Sequence, residues 1–411
     1  MSLQIAAELK RRLSPSADIF GPRDEEFPGL VSRWREYHAP TVAALVQVVT
    51  ESDIQEAIDL RKMSYMNVAE GGNTAKIGGG ATVKRVVDAL GEAGKRTVTG
   101  ICESVGISAL VLGGGHGWLQ GEYGLAADQI YSNPDLFWAI RNAGHNFGLV
   151  AEWTYPIYDV NPQVPKWSFE IFIFSGDKLE ALYSLHNEMQ KNQPAHAIHW
   201  SYIIRVAQIN PDHVTEAREY ARPLCNIEAM SIQAGVATTH ELATLTYQDK
   251  DGPGCVYGLT SLRYPIGLKT FNVPAIRKEI PEIAGSFFLL KGYSTQAVQA
   301  VDEKSTAFPH RSDEILVTSY VQYKPDPRID PLAMKYGKTL RQILLDASGD
   351  PGHLRAYVNY AHGDEDLREV YGWEDWRLQK LRELKAQWDP ENKMKYYMPI
   401  VGEANAKLYM M

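Results

Sequence analysis

The sequence is poor in the features that mark secreted, metal-bound and membrane-embedded proteins. Its three cysteines are too few and too scattered for a disulfide framework or a zinc site. It contains no Asn-x-Ser/Thr glycosylation acceptor, and no apolar run is long enough to span a membrane. Residues 1–20 alternate apolar and charged stretches, which favours an amphipathic helix over a secretory signal. We therefore expect a cytoplasmic protein, or a secreted one if a leader has been removed.

An excess of positive charge is also absent. The formal net charge is -8 over 411 residues, so neither nucleic acid nor an anionic membrane is expected as a partner. Hydrophobic residues make up 45% of the chain and charged residues 22%, which is an ordinary globular balance. The length is sufficient for more than one hydrophobic core.

What the sequence does contain in its first part is a series of short β-branched runs separated by glycine. Such runs predict strands at 41–49, 74–83, 107–117 and 146–155. Helical spacing predicts a helix over 83–94 that ends on Gly94. Strands mixed with short helices are typical of the α+β class.

From about Pro162 the pattern changes. Apolar and polar residues alternate as in half-buried antiparallel strands at 166–176 and 197–209. Helical periodicity appears at 177–192 and 330–347, and a charged amphipathic helix precedes Asp389-Pro390. We predict an antiparallel sheet with helices on one face, and a domain boundary near residues 156–165.

The segment VLGGGHGWLQGEYGLAAD (111–128) carries the strongest functional signal. Consecutive glycines leave a backbone without Cβ atoms, against which a pyrophosphate can lie. The pattern is neither a Walker A loop nor a dinucleotide-binding G-x-G-x-x-G. Alone, the glycine run indicates a tight structural turn, but its neighbours favour a ligand-binding turn.

Four motifs occur here in order: G-I-C-E-S-V-G (100–106), GGG-H-G (113–117), Y-G-L-A-A-D (123–128) and D-L-F-W-A-I-R-N-A-G-H-N-F-G (135–148). Together they resemble the flavin domain of the berberine bridge enzyme-like oxidoreductases, which have the vanillyl-alcohol oxidase fold. The segment 356–392, which begins A-Y-V-N-Y and ends D-P-E-N, looks like the closing segment of that family. The pattern is similar to that of fungal members that act in secondary metabolism.

The resemblance implies a two-part PCMH-type FAD-binding domain, formed by residues 1–160 and closed by residues 351–411. Between these parts, residues 161–350 would form the substrate domain. The implied cofactor is FAD, and the implied partners are a small-molecule substrate and, in an oxidase, dioxygen.

The resemblance also assigns residues to the flavin. The GGG-x-G turn and the A-G-x-N-F-G loop would hold its adenosine diphosphate and ribityl parts, and Asn359 would lie near its ring. Cys102 stands where some members attach the flavin through a thioether bond, although a lone cysteine is often only a small apolar residue. The full set is Cys102, Gly106, Gly113, Gly114, Gly115, His116, Gly117, Tyr123, Gly124, Asp128, Gly144, Asn146, Phe147, Gly148, Val150 and Asn359.

For catalysis the resemblance assigns Tyr360 as the base in an oxidation that delivers a hydride to flavin N5, with Tyr357 as a second candidate. The alternative for either tyrosine is a core aromatic with a satisfied hydroxyl. Alternation predicts a strand with Tyr357 and Asn359 on one face. A phenol, with a pKa of about 10, acts as a base only when a cation or a hydrogen-bond donor stabilises its phenolate, and the sequence identifies no such partner. His116 and His145 lack metal-ligand spacing, so no metal is expected.

The chain departs from the family pattern at two junctions. Residues 52–57 run directly into 58–63, without the G-G-H loop that carries the flavin-attaching histidine, and Ile130 runs directly into Tyr131 where two strands are expected. Similar shortening occurs near 214–215 and 278–279. Either segments of the molecule are missing from this sequence or the chain is a shortened variant. A core that has lost strands should fold poorly, which favours the first explanation.

Three functions stay open. The leading one is an FAD-dependent oxidase or dehydrogenase of a small alcohol, phenol, sugar or secondary metabolite. The second is a non-redox cyclase on the same scaffold, with the flavin structural or lost. The third is an inactive product that only binds a partner.

Overall fold

The computed structural model describes residues 9–32, 42, 44–54, 59–130, 134–160, 166–203, 218–245, 261–262, 286–321, 323 and 326–401. The shortening predicted near 57–58, 214–215 and 278–279 lies outside these residues, as does the far side of the junction after Ile130.

The strands pair antiparallel in several small sheets, in the orders β1-β2, β3-β4-β6, β5-β7, β10-β8 and β11-β13-β12-β9. Their bounds are β1 Asp18–Phe20, β2 Leu45–Gln47, β3 Met66–Val68, β4 Thr74–Gly78, β5 Lys95–Arg96, β6 Glu152–Pro156, β7 Tyr158–Asp159, β8 Trp167–Ile173, β9 Ile198–Ile203, β10 Ser231–Ala237, β11 Ser261–Leu262, β12 Phe287–Tyr293 and β13 Ile315–Tyr320.

The helices are mostly short, and residues 9–12 are also helical. Their bounds are α1 Phe27–Leu30, α2 Glu51–Ile54, α3 Val83–Glu92, α4 Ile107–Leu112, α5 Gln120–Tyr123, α6 Pro134–Ala143, α7 Leu179–Lys191, α8 Arg218–Cys225, α9 Thr239–Leu245, α10 Gln296–Ala300, α11 Asp330–Ala347, α12 Leu367–Tyr371 and α13 Asp375–Trp388. Single 3₁₀ turns cover Ala126–Gln129, Gly144–Asn146, Gly176–Lys178, Glu303–Ser305 and Val358–Tyr360.

The first part is built around the sheet β3-β4-β6, against which α3 and α4 pack through one apolar core. The predicted helix over 83–94 is confirmed: Thr82 caps its start, and Gly94 follows its end with a φ of 65°. The predicted strand over 107–117 is wrong, because residues Ile107–Leu112 form α4. Ile107 and Val111, one helical turn apart, are both buried, so the helix places its apolar side in the core.

The second part is the sheet β11-β13-β12-β9, with α7 and α11 packed on one face as predicted. Alternation along β12 directs Phe288 and Leu290 toward these helices, where both are buried. Lys291 and Tyr293 contribute to the other face, which is turned toward the first part of the molecule. No described helix is long and apolar enough to cross a membrane.

Candidate active site

A lysine and a tyrosine from distant parts of the chain meet on the inner face of β12. Lys291 Nζ lies 2.6 Å from the hydroxyl oxygen of Tyr360, 69 residues away. The ammonium also lies 5.0 Å from the ring centre of Trp200, its directly opposite neighbour on β9. Lys291 has no exposed surface, and burial lowers its pKa from 10.5 to about 8. A lysine with this pKa can lose its proton only slightly above neutral pH.

The segment carrying the two candidate tyrosines is a 3₁₀ turn, so the predicted strand over Tyr357–Tyr360 is wrong. The Tyr360 N–H donates to the Tyr357 carbonyl over 2.8 Å, which curls the chain after Tyr357. The turn still brings Asn359 to Tyr357, since the amide of Asn359 donates to that hydroxyl oxygen over 2.8 Å.

Tyr357 has the contacts of a core aromatic. Its side chain is buried, and its hydroxyl oxygen accepts hydrogen bonds from Asn359 and from the Gly115 N–H, the latter over 3.0 Å. Burial raises the pKa of Tyr357 to about 12. These contacts favour the alternative of a core aromatic with a satisfied hydroxyl for Tyr357.

The GGG-x-G turn packs directly beneath these residues. Gly114 and Gly115 have φ values of 108° and 83°, which side chains rarely allow. A Cβ at Gly113 would overlap Asn359, and one at Gly117 would lie 1.7 Å from the Thr99 carbonyl oxygen. The N–H groups of Gly113 and Gly114 donate to carbonyls of α4, and that of Gly115 to Tyr357. All three amides are therefore used within the protein, and the Cβ side of these glycines is filled by Asn359, Phe308 and Ala126.

His116, within the same turn, contacts the aromatic rings of Tyr293, Phe308 and Tyr357. Its ring stacks on Tyr293 at 5.8 Å between centres and meets Tyr357 edge-on at 4.7 Å. Nδ1 lies 2.9 Å from Oε1 of Gln120. Burial lowers the pKa of His116 to about 4, so the ring is neutral at physiological pH.

Cys102 lies on the same side of the sheet, at the edge of an apolar cluster that includes Trp118 and Leu242. Burial raises the pKa of its thiol, and the charge of Lys291 opposes this. The next residue, Glu103, is buried and joined to His240 of α9 over 2.5 Å. This contact ties the Cys102 loop to the second part of the molecule.

Two other predicted flavin-binding residues, Gly106 and Gly148, have no described atom close to them on their Cβ side. A Cβ at Gly106 or at Gly148 would meet no atom within 4 Å, and the neighbouring Val105 and Leu149 are exposed. The segments that contain these glycines both contact the loop 79–82. Gly106 forms a β-bridge with Thr82, and the Ala151 carbonyl, three residues after Gly148, accepts a hydrogen bond from the Gly79 N–H over 2.6 Å. The Val150 carbonyl also touches this loop, 1.8 Å from where a Cβ of Gly79 would lie.

A buried amide in α6 lacks a partner among the described residues. Asn142 is fully buried at a φ of 131°, and neither its amide nitrogen nor its oxygen is hydrogen-bonded. An unpaired buried amide of this kind is costly unless a ligand or water satisfies it. FAD is an extended ligand with a flat ring and many polar groups. The uncrowded glycines, the exposed apolar residues beside them and the unpaired amide of Asn142 are features that fit such a ligand.

The A-G-x-N-F-G loop is held by the end of the chain. Gly144 packs on Leu112, and Phe147 packs against the core of the C-terminal helices. The buried Asn146 side chain donates to the Met398 carbonyl and accepts from the Ile400 N–H over 2.9 Å. The Nε2 atom of His145 lies 3.0 Å from the Tyr371 hydroxyl, and burial lowers the pKa of His145 to about 4.

The remaining predicted residues build the turn after α5. Tyr123 stacks on Tyr158 at 4.0 Å, and Gly124 has a φ of 84°. Asp128 is buried, accepts from the Leu125 N–H and binds Arg311 through both carboxylate oxygens, at 2.7 and 3.0 Å. These are the contacts of a structural role in the turn.

The candidate functional residue that sequence reasoning missed is Lys291. The signal was a charged residue inside the apolar run SFFLLKGY (286–293), where an unpaired charge would be costly. Its partner could not be found in the sequence, because the contact with Tyr360 exists only in the folded molecule.

Two protein-family models match the chain. One, described as an FAD binding domain, matches residues 43–132. The other, described as berberine and berberine like, matches residues 356–397.

Full-length relatives are found among fungal proteins. FAD-linked oxidoreductase chyH of Penicillium rubens is 35% identical over 96% of this chain and 93% of its own length. FAD-linked oxidoreductase chry5 of Gibberella zeae is 33% identical, over 95% of this chain and 94% of its own length. The first alignment runs over 467 residues, more than the 411 of this chain, so that relative contains internal stretches with no counterpart here.

Solved structures agree on the fold. BBE-like 1 of Physcomitrella patens superposes with a TM-score of 0.81 at 17% identity, over 98% of this chain and 99% of that one. A carbohydrate oxidase of Microdochium nivale superposes with a TM-score of 0.78 at 19% identity, over 97% and 99%. The predicted α+β fold, a PCMH-type FAD-binding domain with an antiparallel substrate sheet, is confirmed.

Proposed function

The chain belongs to the FAD-linked oxidoreductases related to berberine bridge enzyme, and from this premise we propose that it oxidises a small organic alcohol or phenol with Tyr360 as the base. The observation that carries the proposal is the 2.6 Å contact between Lys291 Nζ and the Tyr360 hydroxyl oxygen. A phenol that acts as a base needs a cation or a hydrogen-bond donor beside it, and Lys291 can supply either.

The proton chemistry belongs to this pair. An ammonium at hydrogen-bond distance stabilises a phenolate over a phenol, because the opposite charge favours the ionised form. With one proton removed, the pair can accept the hydroxyl proton of a substrate at Tyr360. Bound FAD supplies the two-electron acceptor for the oxidation.

The residues that would hold FAD are the uncrowded glycines Gly106 and Gly148 with their neighbours, and the residues around the GGG-x-G turn. Gly106, Gly148 and Val150 would receive the extended part of FAD, and Asn359 and Cys102, beside the GGG-x-G turn, would lie near its ring. The unsatisfied amide of Asn142 is a further candidate contact. Because the histidine-bearing loop is not in this sequence, a covalent bond would have to form at Cys102; otherwise FAD is held noncovalently.

The first experiment is the absorption spectrum of the purified protein. We expect the yellow spectrum of a flavin, and colour that stays with acid-precipitated protein would identify a covalent bond. Loss of that retained colour in Cys102→Ala would place the bond on Cys102. A colourless protein that cannot be reconstituted with FAD would contradict the proposal.

The second experiment is a substrate screen in which oxidation is followed by two readouts. Oxygen consumption measures oxidase activity, and reduction of an artificial acceptor under nitrogen measures dehydrogenase activity. A product of unchanged oxidation state would instead favour a cyclase.

A further inference from the structure

The segment between α10 and β13, residues 303–313, joins the second part of the molecule to the first. The Ala307 N–H donates to the carbonyl of Trp138 in α6 over 3.0 Å, and Arg311 binds Asp128 in the turn after α5. All four of these residues are buried. The segment is therefore held in one place relative to α6 and the turn after α5.

His310, within this segment, is hydrogen-bonded to the stretch of chain that leads to Tyr360. Its Nε2 atom lies 3.2 Å from the Ala356 carbonyl oxygen. A carbonyl oxygen only accepts hydrogen bonds, so Nε2 is the nitrogen that carries the proton. Burial lowers the pKa of His310 to about 3, so the ring is neutral at physiological pH. His310 is therefore a donor that does not change its protonation state near neutral pH.

The turn that carries Tyr360 is held from two directions. The Tyr397 hydroxyl, which belongs to the same C-terminal segment, lies 2.7 Å from the Ala361 carbonyl oxygen. On the other side of Tyr360, the Ala356 carbonyl accepts from His310, which belongs to the segment that continues into β13. The contact of His310 thus relates the position of the turn to that of the sheet.

The same segment leads directly to the neighbour of the strand that carries Lys291. The Asp313 N–H donates to the His310 carbonyl over 3.2 Å, and β13 begins five residues after His310. Within the sheet, Leu316 of β13 pairs with Lys291 of β12. A short series of contacts through His310 therefore connects Lys291 to the turn that carries Tyr360.

We propose that His310 is a positioning residue: by holding the Ala356 carbonyl, its Nε2–H fixes the turn relative to β12 and keeps the Tyr360 hydroxyl within hydrogen-bond distance of Lys291. The proposal rests on the proposed function, because it concerns the same base. A displacement of about 1 Å can cost a reaction roughly a hundredfold in rate, so one hydrogen bond that fixes the base has a large effect on turnover.

Two substitutions that differ by one methylene separate this hydrogen bond from the rest of the side chain. His310→Gln places an amide NH₂ group near the position of Nε2, where it can still donate to Ala356. His310→Asn places the same group near the position of Nδ1, where it cannot reach that carbonyl. Both keep a polar side chain in the buried site. His186→Asn, at another buried histidine of the second part, is the control for the loss of a buried ring.

The first measurement needs no substrate. Urea unfolding of the holoenzyme with Lys291→Met, Tyr360→Phe and both substitutions gives the coupling between these side chains. The coupling should be present in the wild-type, His310→Gln and His186→Asn backgrounds and lost with His310→Asn. An unchanged coupling in His310→Asn would overturn the proposal, whatever the enzyme oxidises. No coupling in the wild type would contradict both this proposal and the proposed function.

The second measurement is turnover of a substrate found in the screen. In His310→Asn, kcat should fall roughly tenfold to a hundredfold with little change in KM, and the rise of kcat/KM through about pH 8 should be weakened. His310→Gln and His186→Asn should keep the wild-type rate and pH profile. Equal losses in His310→Gln and His310→Asn would overturn the proposal. Full turnover in Tyr360→Phe would instead remove the proposed function, and the coupling measurement would still decide this proposal.

The wild-type protein provides a test in case His310→Asn does not fold. In the holoenzyme with ¹⁵N-labelled histidine, the His310 resonances, identified by their loss in His310→Gln, should show a protonated Nε2 and an unprotonated Nδ1 at pH 7. An unprotonated Nε2 has no hydrogen to donate to Ala356, so this result would overturn the proposal.

Discussion

At the scale of single residues, the site depends on a charge in an unusual place. Lys291 is buried in a strand whose other inner-face neighbours are largely apolar, and its ammonium reaches the Tyr360 hydroxyl. Removing a cation from such a position normally stabilises a fold. Its presence beside a phenol is therefore best explained by chemistry.

Lys291→Met should lower kcat by roughly 10²–10⁴, the usual contribution of a general base, with little change in bound flavin. Tyr360→Phe should have a similar effect, and the double variant should be no slower than the slower single variant, because both act as one unit. Steady-state kinetics on a substrate found in the screen checks this. Lys338→Met, at an exposed lysine, is the matched control; full turnover in Lys291→Met would remove it from the mechanism.

The pH dependence follows from the same pair. Burial lowers the pKa of Lys291 to about 8, so the pair loses this proton, and gains the capacity to accept one from the substrate, as the pH rises through that value. We therefore expect kcat/KM to rise as the pH increases through about 8. The profile should lose this step in Lys291→Met, and a rate that falls over pH 7–9 in the wild type would contradict the assignment.

At the scale of elements, the sequence predicted correctly those helices in which the apolar pattern repeats over several turns. The helix over 330–347 appears with those bounds, because its apolar residues recur at helical spacing over eighteen residues. The six residues of α4 are too few for this, and β-branched content alone suggested a strand. The turn at Val358–Tyr360 was missed for the same reason. Contacts such as Lys291–Tyr360 were invisible, since they arise from tertiary packing.

The buried ion pair between Asp128 and Arg311 joins two such elements, the turn after α5 and the segment before β13. Arg311→Met should destabilise the protein by about 3–5 kcal/mol, because it leaves a buried carboxylate without its cation. Adding Asp128→Asn should recover much of this loss, since the amide oxygen can still accept from Leu125. Urea denaturation of the single and double variants measures both effects, and additive losses would argue against a direct pairing.

At the scale of the whole molecule, several buried histidines couple stability to pH. Burial lowers the pKa of His116, His145 and His186 to about 4, and that of His310 to about 3. Between these values and 6.5 the unfolded chain binds protons that the folded chain excludes. The contribution of these neutral histidines to the free energy of unfolding is therefore fully present above about pH 6.5, and it decreases as the pH falls toward 4.

The free energy of unfolding, measured by urea denaturation, should change little between pH 7.5 and 6.5 and then decrease from pH 6 to pH 5 by on the order of 1 kcal/mol per pH unit for each histidine. His186→Gln should reduce the slope, because it removes one of the titrating groups. The exposed His196 offers a control, and His196→Gln should leave the slope unchanged. Stability that is constant over this range would contradict neutral burial.

The contacts of Asn146 also have a consequence for biosynthesis. The loop around Asn146 obtains two of its hydrogen bonds from Met398 and Ile400, more than 250 residues later in translation. Ribosomes deliver the chain from its amino terminus, so these two hydrogen bonds cannot form until residues 398–400 have been synthesised and have left the exit tunnel. The loop thus obtains these contacts late in synthesis, and a chain that stops before Met398 would lack both of them.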